Sequence, residues 1–240
     1  MDGRIEHGFR ARFRALAQWT GVEGIDLQAD RLMSEARDAA TRAGVSLAPA
    51  LAAAWLRELT AAKLSWIGRA RGGAGAPPWA RFDAAKPPRF LCDPSLGGLA
   101  RWLRAAGYEA RPAPGVPGHR LADEALRRGL VLLTSEAEVL DRRIVADGTL
   151  VVVWVPSALT MAEQLHLAAV ELGLTLREPR CMACGGGLVP TAKEAIRPRI
   201  PPRTALWQDE YFVCAECDRL FWRGTHWERI ERTLRHAVVT

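Results

Sequence analysis

Three acidic residues stand near predicted strand ends in the middle of the chain, and together they could form a metal site. Asp93 directly follows the apolar run ending at Cys92, and Glu136 lies two residues beyond the run ending at Thr134. Asp123 lies near the start of the predicted helix between these runs. Because the carboxyl ends of parallel strands share one sheet edge, the three carboxylates could converge there. Oxygen ligands favour Mg²⁺ or Mn²⁺, which could generate a hydroxide and clamp a phosphate oxygen.

The same positions also fit an interpretation without a metal. Asp93 and Asp123 stand near helix starts, where an acidic side chain can cap the free backbone N–H groups. Glu136 stands in a first helical turn, where the helix dipole favours an acid. Acids at helix starts are common, so spacing alone favours this structural interpretation.

Four of the five cysteines form two Cys-x-x-Cys pairs, Cys181 with Cys184 and Cys214 with Cys217, separated by 29 residues. Each pair can present two thiolates from a tight turn, and two pairs complete a tetrahedron around Zn²⁺. In a cytosolic chain this pattern favours zinc over disulfides. Four thiolates leave no position for water, so we predict a structural zinc rather than a catalytic one.

Two arginines follow Asp93 on a predicted helix. Arg101 and Arg104 are three residues apart and so share a helix face, from which they could bind phosphates near the acids. A solvated face, or ion pairs with Asp123 or Glu124, would explain them equally simply.

The elements that must position these residues alternate between strand and helix over residues 89–177. Apolar runs and glycine stops predict strands at 89–92, 108–111, 130–134 and 150–155, and helices at 96–106, 121–128, 136–146 and 161–172. Such alternation, with continuously apolar strands, indicates a parallel sheet covered on both faces. Cys92 then belongs to the core rather than to a nucleophilic site.

Two further segments flank this region. Residues 1–70 show three amphipathic stripes and predict a helical module, followed by a Gly-, Ala- and Pro-rich linker at 71–88. Residues 178–240 contain the cysteine pairs and a basic helical tail. Between the pairs, Arg197, Arg199 and Arg203 lie in a Pro-rich loop that either follows a nucleic-acid backbone or is a solvated insertion.

The amino-acid composition excludes several classes of protein. The 240 residues are 49% hydrophobic and 25% charged, which excludes a disordered or fibrous chain. The net charge of +6 suits a polyanionic partner, although an Arg-rich composition alone would also produce it. The longest apolar runs are too short to span a bilayer, and the charged N-terminus resembles no secretory signal, so we expect a cytoplasmic protein without membrane contact. The sequence contains neither G-x-G-x-x-G nor G-K-[ST], which argues against a nucleotide-dependent enzyme.

One sequence segment favours the metal-site interpretation of the three acids over the structural one. The sequence FLCDPSLGGLARWLRAAGY at residues 90–108 resembles the opening of the PIN-like ribonuclease domain at the C-terminus of Mut-seven-type exonucleases. Further matching pieces follow in order over residues 89–229: Asp123, LLTSE at 132–136, QL at 164–165, both cysteine pairs, and FWRGTHW at 221–227.

The resemblance implies a metal-dependent ribonuclease fold in which Asp93, Asp123 and Glu136 form the acidic metal site. This chain departs from the family pattern at two positions, where Glu136 replaces a usual Asp and Ser135 replaces a usual Arg. Glu keeps the charge but reaches one methylene further. That difference would alter ligand placement around Mg²⁺, which requires near-ideal octahedral geometry at ~2.0–2.1 Å.

We therefore expect an α/β protein: a PIN-like parallel sheet flanked by helices, with an N-terminal helical module and a C-terminal zinc ribbon. The expected function is Mg²⁺- or Mn²⁺-dependent hydrolysis of RNA phosphodiesters, with Arg101 and Arg104 binding substrate. One alternative is a non-catalytic RNA- or ribosome-binding module with a degenerate metal site. Another is an interaction protein whose N-terminal helices bind a protein partner or mask the acids.

Overall fold

The N-terminal module consists of three helices. The structure, a computed structural model, describes residues 2–66 and 77–239. The helices are α1 (Asp2–Thr20), α2 (Ile25–Ala43) and α3 (Leu47–Trp66). Their apolar stripes face one another, as predicted, and form a continuous buried cluster. Within the described ranges, no helix combines the length and apolarity needed to cross a membrane.

A four-stranded parallel sheet follows, which confirms the predicted fold class. In chain order its elements are β1 (Phe90–Cys92), α4 (Gly97–Ala105), β2 (Ala110–Pro112), α5 (Gly118–Arg128), β3 (Val131–Thr134), α6 (Arg143–Ala146), β4 (Val152–Trp154) and α7 (Met161–Leu172). The spatial order is β2-β1-β3-β4, so that β1 and β3 are the two central strands. Every residue of β1, β3 and β4 is buried, as expected for strands covered on both faces.

Alternate residues of each strand pack into two separate cores. Phe90, Cys92 and Leu133 face the cluster that contains α4, α7 and the N-terminal helices. Leu91 and Leu132 face a smaller cluster with α5 and the segment around α6. The two-residue strand period therefore assigns each side chain to one layer of the fold.

The predicted helix over 136–146 is wrong. The chain instead forms a 3₁₀ turn at Ala137–Asp141 and the short helix α6, with Arg142 in an extended conformation between them. This segment contacts α1 through a hydrogen bond between His7 and Asp141 at 3.0 Å and an ion pair between Arg4 and Glu138 at 3.4 Å. The segment therefore packs against α1 and leads into β4 without forming a regular helix.

The N-terminal helices pack directly on the sheet. Gly8 allows this approach, since a Cβ there would lie 2.5 Å from the ring of Trp154 on β4. Phe9 packs edge-on against the same ring, with centroids 5.1 Å apart. Residues 71–76 of the predicted linker lie outside the described residues. In its remainder, Trp79 packs against Trp19 with ring centroids 5.4 Å apart.

The C-terminal region is a three-stranded antiparallel ribbon followed by a long helix. Its strands are β5 (Leu188–Thr191), β6 (Tyr211–Cys214) and β7 (Leu220–Trp222), and its helix is α10 (Thr225–Val239). The Pro-rich loop between β5 and β6 contains two short helices, α8 (Lys193–Ile196) and α9 (Pro202–Ala205). Ile196 and Ile200 of this loop pack with Tyr211 in a small core. Helix α10 packs against α7 and so joins the ribbon to the sheet.

Candidate active site and metal centre

Asp93 lies at the carboxyl end of the central strand β1, where open parallel sheets place their ligands. Its side chain is buried and accepts three hydrogen bonds. Ser95 donates to Oδ1 from both its backbone N–H and its hydroxyl, each at 2.8 Å. Thr134, at the end of β3, donates from Oγ1 to Oδ2 at 2.9 Å. These donors hold the carboxylate in one orientation at the sheet edge.

Glu136 approaches the same edge from β3. Its backbone N–H donates to Thr134 Oγ1 at 3.1 Å, so that one threonine hydroxyl links the segments bearing both acids. The Glu136 carboxylate lies against Gly118, the first residue of α5, where a Cβ would be 2.5 Å from Oε1. A carboxylate at a helix N-terminus is favoured by the helix dipole. Because Gly118 has no side chain, it leaves room for the Glu136 carboxylate in its observed position.

Asp123 lies further along α5, about 7.5 Å down the helix axis from Gly118 at 1.5 Å per residue. Its carboxylate is 59% exposed and pairs with the Arg142 guanidinium at 2.7 Å. Arg142 also donates to the carbonyl of His119 at 3.4 Å. The Asp123–Arg142 pair thus fastens α5 to the segment that follows Glu136.

The three acids do not form a closed ligand cluster. We looked for groups of three or more His, Cys, Asp or Glu residues whose ligand atoms lie within 4.8 Å of one another. Across residues 2–66 and 77–239, the four cysteines are the one such group. The three carboxylates therefore do not converge on one point at this edge, and Asp123 is paired with Arg142 instead.

The two predicted phosphate-binding arginines lie in different environments. Arg101 is exposed on α4. Arg104 is 5% exposed and donates from Nε to the Ala110 carbonyl at 2.8 Å. Its Nη1 donates to the carbonyls of Met182 and Ala183 at 3.1 and 2.8 Å. Because these contacts orient the guanidinium towards the protein interior, Arg104 supports the first cysteine turn, and we do not include it among substrate-binding residues.

The four cysteines form a compact centre. Cys181 Sγ lies 3.7 Å from Cys217 Sγ, and Cys184 Sγ lies 3.4 Å from Cys214 Sγ. A tetrahedral zinc with Zn–S bonds of ~2.3 Å requires sulfurs about 3.8 Å apart. The arrangement therefore fits the predicted zinc site.

Both cysteine turns are built alike. Gly185 and Asp218, the residues that follow each pair, adopt left-handed backbone conformations with φ of 88° and 56°. Their N–H groups donate to the carbonyls of Cys181 and Cys214, at 2.7 and 3.0 Å. Each turn directs its two thiols towards one common centre.

Electrostatics distinguish the cysteines. Burial disfavours the charged form of Cys214, but hydrogen bonds from the backbone N–H groups of Cys217 and Glu216 and from the Cys184 and Cys217 thiols together lower its pKa to about 7. Burial raises the pKa of Cys92 to about 12. Cys92 is therefore neutral at physiological pH and acts as a core residue, in agreement with its position on β1.

Comparison with known proteins adds an independent finding. The family model described as "Mut7-C RNAse domain" matches residues 88–234, more than half of the chain. The chain belongs to this family. The match confirms the resemblance found in the sequence, and this Mut7-C domain includes the parallel sheet, the cysteine centre and most of α10. The comparison with curated proteins and the comparison with solved structures each found no match.

Two features of the Mut7-C site were missed by sequence reasoning. The hydroxyls of Ser95 and Thr134 orient Asp93, and Gly118 holds the space for Glu136. The Thr134 contact depends on the β1–β3 register, which pairs Cys92 with Leu133 and so brings the following residues side by side. A polar residue at the end of each central strand was the available signal. Gly118 offered none, since glycine near a helix start is ordinary.

Proposed function

We propose that this Mut7-C domain hydrolyses RNA phosphodiester bonds at the edge formed by Asp93 and Glu136, with Mg²⁺ or Mn²⁺ as cofactor. The supporting observation is the oriented, buried carboxylate of Asp93 at the carboxyl end of the central strand, within a family named for ribonuclease activity. Asp93 caps the 3₁₀ turn at Pro94–Leu96 through Ser95, as the structural interpretation expected, and Thr134 from β3 holds its second carboxylate oxygen.

The donor set fits a hard divalent ion. Asp93 Oδ2 accepts a hydrogen bond from Thr134 and keeps a further lone pair for a ligand, and Glu136 is exposed at the same edge. A divalent ion bound there supplies charge neutralisation and activation of water. The predicted role of Asp123 as a third metal ligand stays a prediction, because binding would require its carboxylate to leave Arg142.

The protein's own groups have separate tasks in this proposal. Ser95 and Thr134 fix the angle of the Asp93 carboxylate, which would otherwise rotate. Gly118 and the N-terminus of α5 fix Glu136. Arg101, exposed one helical turn from the start of α4, is the residue we propose to bind a substrate phosphate.

Asp93→Asn is expected to lower RNA cleavage by about 100-fold or more, because a neutral amide holds a divalent cation poorly and several kcal/mol of charge stabilisation is lost. RNA affinity should stay unchanged. The measurement is cleavage of single-stranded, hairpin and transfer RNAs with Mn²⁺ or Mg²⁺. Metal-dependent cleavage that survives in Asp93→Asn would refute the proposed site.

Asp123→Asn is the matched comparison in the same assay. A loss as large as that of Asp93→Asn would identify Asp123 as a metal ligand. A smaller loss with unchanged metal dependence would assign it to the positioning of α5 through Arg142.

Gly118→Ala is expected to lower cleavage by about 10- to 100-fold without harming the fold. The new methyl group would displace the Glu136 carboxylate, which is the end of a flexible side chain, and small displacements of this kind cost large factors in rate. Alanine favours a helix by up to ~1 kcal/mol over glycine, so the melting temperature should not fall. Gly97→Ala at the equivalent first position of α4, where a Cβ would meet nothing within 4 Å, is the control. Equal activity of both variants would argue against a role for Glu136.

One observation favours the non-catalytic alternative. Within the described ranges, the three acids do not come within 4.8 Å of one another as a group, and Asp123 is engaged by Arg142. If no RNA is cleaved with either metal while RNA still binds in a salt-sensitive manner, the domain is an RNA-binding module. A protein partner for the N-terminal helices and a cytoplasmic location stay predictions.

A further inference from the structure

A cleft of about 980 Å³ lies between the ribbon, the start of α10 and residues 176–182, away from the acidic edge. We call it the aromatic cleft. Three tryptophans line it, Trp207, Trp222 and Trp227. Trp207 is 59% exposed, and with Trp222 and Trp227 it forms an apolar patch of the kind that marks a binding surface.

Two of the rings meet at Gly224. A Cβ there would be 3.2 Å from the Trp222 ring and 3.5 Å from the Trp207 ring, so a side chain at this position would press on both rings. The ring N–H of Trp227 donates to Glu231 at 3.0 Å, which fixes that ring's orientation.

Charge complements the rings. The cleft is lined by Arg177, Arg180, Arg223 and Arg235, against Glu178 and Glu231. Glu231 is engaged by Trp227 and by Arg235 at 3.4 Å. Arg223 also pairs with Glu210 at 3.5 Å, and the other three arginines still outnumber the two acids of the lining, so a polyanion would be attracted to it.

We propose that the aromatic cleft binds a short unpaired segment of RNA, with bases stacked on the tryptophans and phosphates facing the arginines. Aromatic platforms in a basic groove are the usual means of binding single strands without sequence preference. A duplex cannot use them, because its bases are already stacked. This inference rests on the proposed function, in which RNA is the substrate, and adds that the substrate is single-stranded at the ribbon.

The test measures binding rather than cleavage, so that it succeeds or fails independently of the catalytic proposal. The probe is a fluorescein-labelled ten-nucleotide RNA, and the same strand annealed to its complement, titrated by anisotropy with the full chain and no added Mg²⁺ or Mn²⁺. We expect the single strand to bind more tightly than the duplex. Trp207→Ala should weaken single-strand binding by about 5- to 100-fold, and Trp207→Phe should recover part of the loss.

Leu206→Ala is the matched control, because Leu206 is apolar, adjacent and more exposed than Trp207. It should bind RNA as the unaltered chain does. The proposal is overturned if the duplex binds as tightly as the single strand, or if Trp207→Ala and Leu206→Ala behave alike. A labelled acidic peptide that binds the cleft and depends on Trp207, while RNA does not, would overturn it in favour of a protein interface. A chain that binds single strands through Trp207 but cleaves nothing would refute only the catalytic proposal.

Discussion

Loss of metal from the four-cysteine centre is expected to unfold the ribbon while the parallel sheet remains folded. The ribbon core is small, with Ile196, Ile200 and Tyr211 as its buried members. Structural zinc sites of this kind contribute about 10–16 kcal/mol in isolated peptides, far more than such a core can supply. Without metal, the four thiols take up protons and no bond joins the two cysteine turns.

The measurement combines zinc content per chain with limited proteolysis before and after treatment with a strong chelator. We expect one zinc per chain, and new cleavage sites between residues 178 and 224 after chelation. Cys214→Ser should reproduce the chelated state. Cys92→Ala is the matched control: it removes a buried cysteine outside the centre and should retain zinc. Ribbon protection that persists in a zinc-free chain would contradict this prediction.

Removal of either partner of the buried ion pair between α1 and α7 is expected to lower the free energy of unfolding by about 3–5 kcal/mol. Arg12 Nη2 lies 2.8 Å from Glu171 Oε2, and the two side chains are only 4% and 5% exposed. The Arg12 guanidinium also donates to the Trp154 carbonyl and lies 5.3 Å from the centroids of the Trp55 and Trp154 rings.

The reason for the large effect is an uncompensated buried charge. Burial lowers the pKa of Arg12 and raises the pKa of Glu171, and each partner's charge opposes the other's shift. Arg12→Met removes the cation that contacts the Glu171 carboxylate and leaves it only the weaker influence of Lys63, and Glu171→Leu leaves the guanidinium without its anion. The double variant removes both charges, so it should be more stable than either single variant.

Urea denaturation of the four proteins in this cycle is the measurement. Arg14→Ala is the control, because Arg14, which like Arg12 lies on α1, forms an exposed pair with Asp26 of α2 at 3.0 Å and should change stability by less than ~1 kcal/mol. Single variants that each cost less than this control would show that α1 is not anchored on the sheet through Arg12.

Much of the chemistry of this protein could be predicted from its sequence. The Cys-x-x-Cys pairs predicted a metal centre, because ligand type and spacing are local properties and each turn is built from its own residues. The alternation of strand and helix predicted the parallel sheet, since periodicity reports which faces are buried. The string from Phe90 to Tyr108 predicted the family, which the match over residues 88–234 confirms.

Contacts between distant segments were decided by the tertiary structure. The β1–β3 register brought Thr134 to Asp93, the packing of α5 brought Gly118 to Glu136, and Arg142 engaged Asp123. Arg104 had the spacing of a phosphate ligand but is buried against the first cysteine turn. The segment at 136–146, which contacts α1, forms a 3₁₀ turn and a short helix instead of the expected single helix. The local sequence determines which side chains a segment contains. Strand register and packing between segments determine which of those side chains contact one another.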